Sequence, residues 1–355
     1  MRFSCLVLLG CLAQSAIGAN SGRLIAELDL NTEPPASATT LAFVSETGIA
    51  IARYPGVAGP RTGLILNAEF RNGRLRVLQR TSIDLDRDAM AGELFAVSHG
   101  KLLSKFSVPP RLYSGDLQEI STVPLKVIHP PEHQANFLAG FESMNSWSLY
   151  HINPTFSLAR SGRGEVLSVT DDFVLFRSND KAYIESIDRA PAGSFAVPPP
   201  SDCYGKITIL GRNRLMMSGC NKANRKGDTV VDFTGKELVR LRQREGWGFR
   251  FGQSSDGTRI LFDNYTRIIS FGEKVSEFFT DLVTLGMGIP TESTGEIIRV
   301  VDSRTAGICF ELNSPDHLFG NAGEYHADIS PSGTYVALIT NHRVGIYQLP
   351  NSCAT

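Results

Sequence analysis

The stretch that decides the fold lies near the C-terminus: Ala327-Asp-Ile-Ser-Pro-Ser-Gly-Thr-Tyr-Val-Ala-Leu338. A short apolar run, a Ser-x-x-Gly turn and a second β-branched and aromatic run read as two strands joined by a tight hairpin. A second copy stands at Phe251-Gly-Gln-Ser-Ser-Asp-Gly-Thr-Arg-Ile-Leu-Phe262, with weaker echoes at Ala42–Ile51 and Phe95–Leu103. Outward from these, the chain is a succession of runs of four to eight residues, such as Arg23–Leu30, Gly48–Arg53, Arg74–Leu78, Phe173–Phe176, Lys206–Leu210, Thr229–Phe233 and Arg343–Tyr347. Gly, Asn, Asp and Pro break them, and Asn72-Gly73, Thr234-Gly235, Asp256-Gly257 and Ser332-Gly333 supply the positive φ of tight turns. No amphipathic helix stands out, so the pattern predicts an all-β fold of short antiparallel strands.

The repeated unit resembles the inner hairpin of WD40-like β-propeller blades, in particular the Ser-Pro-Asp-Gly repeats of TolB-type bacterial propellers. The match is good over 326–350 and fair over 247–270, and the Trp-Asp signature of WD40 repeats is absent. The resemblance implies a radial array of four-stranded sheets and no particular activity, because such rings host binders and enzymes alike. Hairpins starting near residues 38, 90, 137, 166, 204, 248 and 326 suggest seven blades, with six or eight as alternatives. The last blade is one strand short while Arg23–Leu30 is a strand to spare, so the N-terminal strand is expected to join the last blade and close the ring. The interval from 248 to 326 is too long for a plain blade and implies an insertion at about 273–294. A pair of β-sandwiches divided at 190–200, where Pro191, Pro198, Pro199 and Pro200 cluster, is the competing architecture.

The composition is that of a globular chain: 355 residues, 42% apolar and 20% charged, with 35 Lys and Arg against 36 Asp and Glu. Near-neutrality supplies no electrostatic footprint for nucleic acid or anionic lipid. The start, Met1-Arg2, an apolar run Phe3–Ala13 and the small residues Ser15–Ala19, reads as a secretory signal peptide over 1–19, leaving a β-propeller domain over 20–355. The run is too short to span a bilayer, and no later stretch approaches that length. A secreted or periplasmic protein is expected, with lipid anchoring at Cys11 of Leu8-Leu9-Gly10-Cys11 as the alternative.

Removing the signal takes Cys5, Cys11 and Arg2 and leaves a net charge of −2 from 34 basic and 36 acidic residues. Cys203, Cys220, Cys309 and Cys353 remain, an even set suited to disulfides in an oxidising compartment. No CxxC pair suggests zinc. Sequential pairing is expected, Cys203 with Cys220 on one hairpin and Cys309 with Cys353 where two blades meet; four buried free thiols are the alternative.

No residue pattern specifies a chemistry. Asp84-Leu-Asp-Arg-Asp88 begins like a calcium loop, but Ala89 and Phe95 stand where Gly and Glu are needed. His129 and His133 flank two prolines with no companion ligand, and GxSxG, Walker and GxGxxG patterns are missing. Neither a metal nor a cofactor is expected. Arg244, Trp247 and Arg250 form a cation and aromatic cluster able to bind anionic sugars or peptides, or simply a solvated loop. His326 and Asp328 head an inner strand and could face the top of the channel; a structural hydrogen bond to a neighbouring blade is expected, with a catalytic dyad as the alternative. The expected function is noncatalytic binding of a protein, peptide or carbohydrate by a monomer. The competing expectation is a glycoside hydrolase or lyase whose carboxylates converge at the channel from separate blades.

Overall fold

The computed structural model describes residues 22–33, 36, 38–54, 62–85, 94–104, 109–123, 127–129, 134–143, 145–152, 156–179, 181–188, 190–196, 207–217, 228–241, 251–264, 296–314, 327–340 and 342–353. They form 28 strands in seven four-stranded antiparallel sheets, with one 3-10 turn at Ser98–Gly100 and no α-helix among the described residues. The expected signal peptide, Cys203, Cys220, Arg244, Trp247, Arg250, His326 and the 273–294 insertion all lie outside the described residues.

Six blades follow the chain, each running from an innermost to an outermost strand. Strand β1 is Arg23–Asp29; blade 1 is β2 to β5 (Ala38–Phe43, Gly48–Tyr54, Thr62–Arg71, Arg74–Asp84). Blade 2 is β6 to β9 (Leu94–Val97, Lys101–Ser104, Arg111–Tyr113, Glu119–Thr122), and blade 3 is β10 to β13 (Val127–His129, Phe137–Ser143, Ser146–His151, Ser157–Arg163). Blade 4 is β14 to β17 (Glu165–Val169, Phe173–Ser178, Lys181–Ser186, Pro191–Ala196), and blade 5 is β18 to β21 (Ile207–Leu210, Arg214–Met217, Thr229–Asp232, Glu237–Arg240). Blade 6 is β22 to β25 (Phe251–Gln253, Arg259–Asn264, Glu296–Asp302, Ile308–Ser314). Blade 7 takes β26 to β28 (Ala327–Ile329, Tyr335–Thr340, Arg343–Gln348) from the C-terminus and β1 as its fourth, outer strand, so the seven-bladed ring closes as expected.

The expected strand starts are correct for six blades to within four residues. Blade 3 begins at Val127, not 137: its inner strand is three residues long, and the Phe137 run is its second strand.

The core is divided. Seven apolar clusters occupy the seven seams between neighbouring blades, one to a seam. Each sheet therefore buries both faces, which is why Gly48–Tyr54 is buried at every residue instead of alternating. The 7–1 seam, for example, joins Leu41, Phe43 and Leu66 of blade 1 to Ala337, Ile339 and Ile346 of blade 7.

Every outer strand carries a one-residue β-bulge against its inner neighbour. The extra residues are Ile25, Leu78, Ile120, Ala159, Ala192, Leu238 and Cys309. A bulge breaks the regular ladder and twists the strand away from further pairing. Among the described residues, the large apolar side chains left exposed, Leu24, Leu78, Ile120, Leu158 and Leu238, all sit at or beside these bulges. In blade 6 the bulged residue is Cys309, fully buried and joined to Cys353, so the C-terminal tail covers that position.

Candidate functional site

The antiparallel order sorts the connections onto two faces. Turns from first to second and from third to fourth strand lie on one face, and the longest spans seven residues, 130–136. Connections from second to third strand, and from each blade to the next, join strand ends at the other face. Six of those span nine residues or more: 85–93, 197–206, 218–228, 241–250, 265–295 and 315–326. Five of the six start or end in blades 5 and 6.

The short-turn face is tied at every seam. Asn67 Nδ2 donates to the Gly115 carbonyl (2.6 Å) between blades 1 and 2, and Lys101 Nζ to the Ile152 carbonyl (3.1 Å) between blades 2 and 3. Asn136 Nδ2 donates to Asp171 (3.2 Å), Arg212 pairs with Asp172 (3.5 Å) and Arg214 donates to Ser303 Oγ (2.8 Å) at the next three seams. The Ser255 N–H donates to the Pro331 carbonyl (2.8 Å) and Arg259 to the Gly333 carbonyl (2.7 Å) between blades 6 and 7. Glu46 of blade 1 then accepts from Ser330 Oγ (3.0 Å), the Ser332 N–H (3.0 Å) and the Ser332 hydroxyl of blade 7.

Turns on this face have the conformations their sequences predict. Asn72 and Gly73 both have positive φ, 51° and 73°, the requirement of a type I′ hairpin. Asp256 accepts from the Thr258 N–H (2.9 Å) and Ser254 Oγ (2.6 Å). Burial would raise its carboxyl pKa, but the Ser254 and Thr258 hydrogen bonds prevail and lower it. Gly257 approaches blade 5 so closely that a Cβ would lie 2.4 Å from the Gly211 nitrogen.

The innermost strands leave one edge of backbone unpaired, and polar side chains satisfy it. Ser168 Oγ accepts from the Ile209 N–H (3.0 Å), and Gln253 Nε2 donates to the Ile209 carbonyl (2.8 Å). Phe43 is treated likewise: its N–H donates to Asp328 Oδ2 (2.8 Å) and its carbonyl accepts from Gln134 (2.9 Å). Asp328 also accepts from the Ile329 N–H (2.8 Å). Although the residue as a whole is half-buried, packed strands enclose its carboxylate, and burial pushes its pKa up to about 6 against those two hydrogen bonds. Thr40 Oγ1, Thr208 Oγ1 and Gln253 Oε1 are buried on inner strands without a protein partner.

Asp328 therefore makes the bond to a neighbouring blade that its position allowed. Arg244, Trp247 and Arg250 belong to the 241–250 connection, and His326 to the 315–326 connection, both joining strand ends on the long-connection face. The Cys203 and Cys220 positions fall in the connections on either side of β18 and β19. Cys309 and Cys353 are bonded, with Cα atoms 4.1 Å apart, compatible with the expected pairing. Among the described residues no three His, Cys, Asp or Glu side chains gather as a metal site would require. Glu46 and Gln134 carried no signal in the sequence, because their partners lie 284 and 91 residues away.

No family model matches the sequence, and no curated protein does. Solved structures do. The chain is similar to the C-terminal WD40 domain of Sif2, at 9% identity over 94% of this chain and 99% of that one, with a TM-score of 0.53. It is also similar to a chain of the mitotic checkpoint complex, at 12% identity over 98% of this chain and 99% of that one, again with a TM-score of 0.53. At such identity the likeness is one of fold: the chain is a seven-bladed β-propeller whose structural neighbours are WD40 domains.

Proposed function

We propose that this protein is an exported, noncatalytic binding module that takes a protein, peptide or carbohydrate partner across its long-connection face. The observation that carries the reading is the contrast between the two faces. One is committed to holding the ring together, with turns of seven residues or fewer and a polar tie at all seven seams. The other holds every connection of nine residues or more, and recognition concentrates on loops presented by a rigid scaffold. Arg244, Trp247 and Arg250 stand in the 241–250 segment, which joins strand ends of this face, and they would supply stacking and paired hydrogen bonds. The Ser-x-x-Gly-Thr turns at 254–258 and 330–334 favour a relationship to exported TolB-type propellers. The bonded Cys309 and Cys353 suit an oxidising compartment.

Photo-crosslinking in the exporting cell tests the reading. Crosslinkers at Thr62 or Asn179, beside the long connections, should trap a discrete partner, whereas crosslinkers at Lys236 or Ser255 on the short-turn face should not. Crosslinks confined to the short-turn face would contradict it. N-terminal sequencing of the exported protein should begin close to residue 20, and a chain retaining Met1 would contradict the export signal.

A further inference from the structure

The 7–1 seam differs from the other six because it joins the two ends of the chain, and two carboxylates cross it in opposite directions. Asp328 of blade 7 accepts the Phe43 N–H of blade 1 (2.8 Å), and Glu46 of blade 1 accepts from Ser330 and Ser332 of blade 7. Neither carboxylate forms an ion pair among the described residues. Asp328 is also pressed from the other side: a Cβ at Gly252 of blade 6 would lie 3.1 Å from its Oδ1. Water is thus replaced by packed strands on two sides, and two N–H donors stand where a cation would be needed to offset a buried charge.

The elements around Asp328 bring little that could compensate. Strand β2 offers Thr39 and Thr40, β22 offers Gln253, and β27 offers Tyr335. The guanidinium of Arg259 on β23 is engaged with the Gly333, Pro350 and Asn351 carbonyls. The turn after β2 adds the second anion, Glu46. Asp263 on β23 has its side chain, and His326 the whole residue, outside the described part.

We infer that the closing seam is a proton-responsive device, in which uptake of a proton by Asp328 stabilises the closed ring and its ionisation at neutral pH weakens it. The sign follows from linkage. The folded-state pKa of about 6 lies above the ordinary carboxylate value, so the folded protein binds the proton more tightly than the unfolded chain does. The contribution is therefore fully present below about pH 4 and is lost as the pH rises through 6. Between pH 7.5 and pH 5 the folding equilibrium constant should rise about tenfold from this group alone.

Two measurements on the full chain decide the matter. The first is carbon NMR of protein labelled at the aspartate carboxyl carbons, in which one resonance should titrate with a midpoint near pH 6. If no aspartate titrates above pH 5, the inference is overturned, whether or not any variant folds. The second is denaturant unfolding of the wild type and Asp328→Asn across the same pH range. The wild type should gain the tenfold on acidification relative to the variant, beginning as the pH falls through 6 and with half the gain in free energy reached between pH 5 and pH 6. Parallel profiles would overturn the inference even if the NMR midpoint is high, because the proton would then be uncoupled from ring closure.

Discussion

Strand β1 closes the ring, and Leu30, just beyond its end, is its best anchored residue. Its side chain is 1% exposed within the cluster of the 7–1 seam. Its N–H donates to the His342 carbonyl (2.7 Å), and its carbonyl accepts from the buried Arg53 guanidinium (2.9 Å). Leu30→Ala removes three buried carbons and leaves a cavity in the 7–1 seam. Such a change costs about 2–5 kcal/mol, against about 5–15 kcal/mol for the whole stability of a domain. With an m-value of about 3 kcal/mol per molar, the urea midpoint should fall by roughly 0.7–1.7 M. Leu24→Ala is the internal control, since Leu24 is on the same strand but 47% exposed, and it should cost no more than about 0.5 kcal/mol. Equilibrium urea unfolding followed by tryptophan fluorescence reads both. Equal losses, or a loss below about 1 kcal/mol for Leu30→Ala, would refute the claim that β1 is locked into the last blade.

Other sites give sharper single tests. Gly162→Ala would place a Cβ 2.3 Å from Cζ2 of the buried Trp147, so it should destabilise by about 1–3 kcal/mol and shift the tryptophan emission. The Cys309–Cys353 bond spans 44 residues, and on the chain-entropy model Cys353→Ser should cost up to about 4 kcal/mol. Thiol counting by mass spectrometry without reductant should find Cys309 and Cys353 blocked, and free thiols there would refute the bond. Glu46→Ala removes the acceptor for Ser330 and Ser332 and should cost about 1–2 kcal/mol in the same urea assay.

The repeating hairpin, the seven blades and the N-terminal closure were legible because they follow from local turn chemistry and from counting strands at the two ends of the chain. Blade 3 was misplaced because Val127-Ile-His129 is only three residues long and lies between prolines, too short to show a period. The polar ties were illegible for a different reason. Glu46, Gln134 and Asp328 bond residues between 91 and 286 positions away, and nothing in a single sequence announces such pairs. The bulges were hidden as well: Leu78 and Cys309 look like ordinary members of alternating runs, and only the cross-strand register shows that they are supernumerary. Of the candidate site, the choice of face follows from connection lengths, whereas the chemistry of any recognition depends on side chains the topology alone does not arrange.

The seven bulges have a consequence for how copies of this ring coexist in solution. A propeller presents seven unpaired strand edges to its surroundings, and a flat edge will template an incoming strand. Here an approaching strand meets two residues where its ladder expects one, once in every blade. The rim is thereby a set of seven deliberate mismatches, able to display leucine and isoleucine to water without inviting edge-to-edge growth. Excising a single bulged residue such as Leu78 would restore register along the 11-residue strand β5 and turn that stretch of rim into an adhesive one.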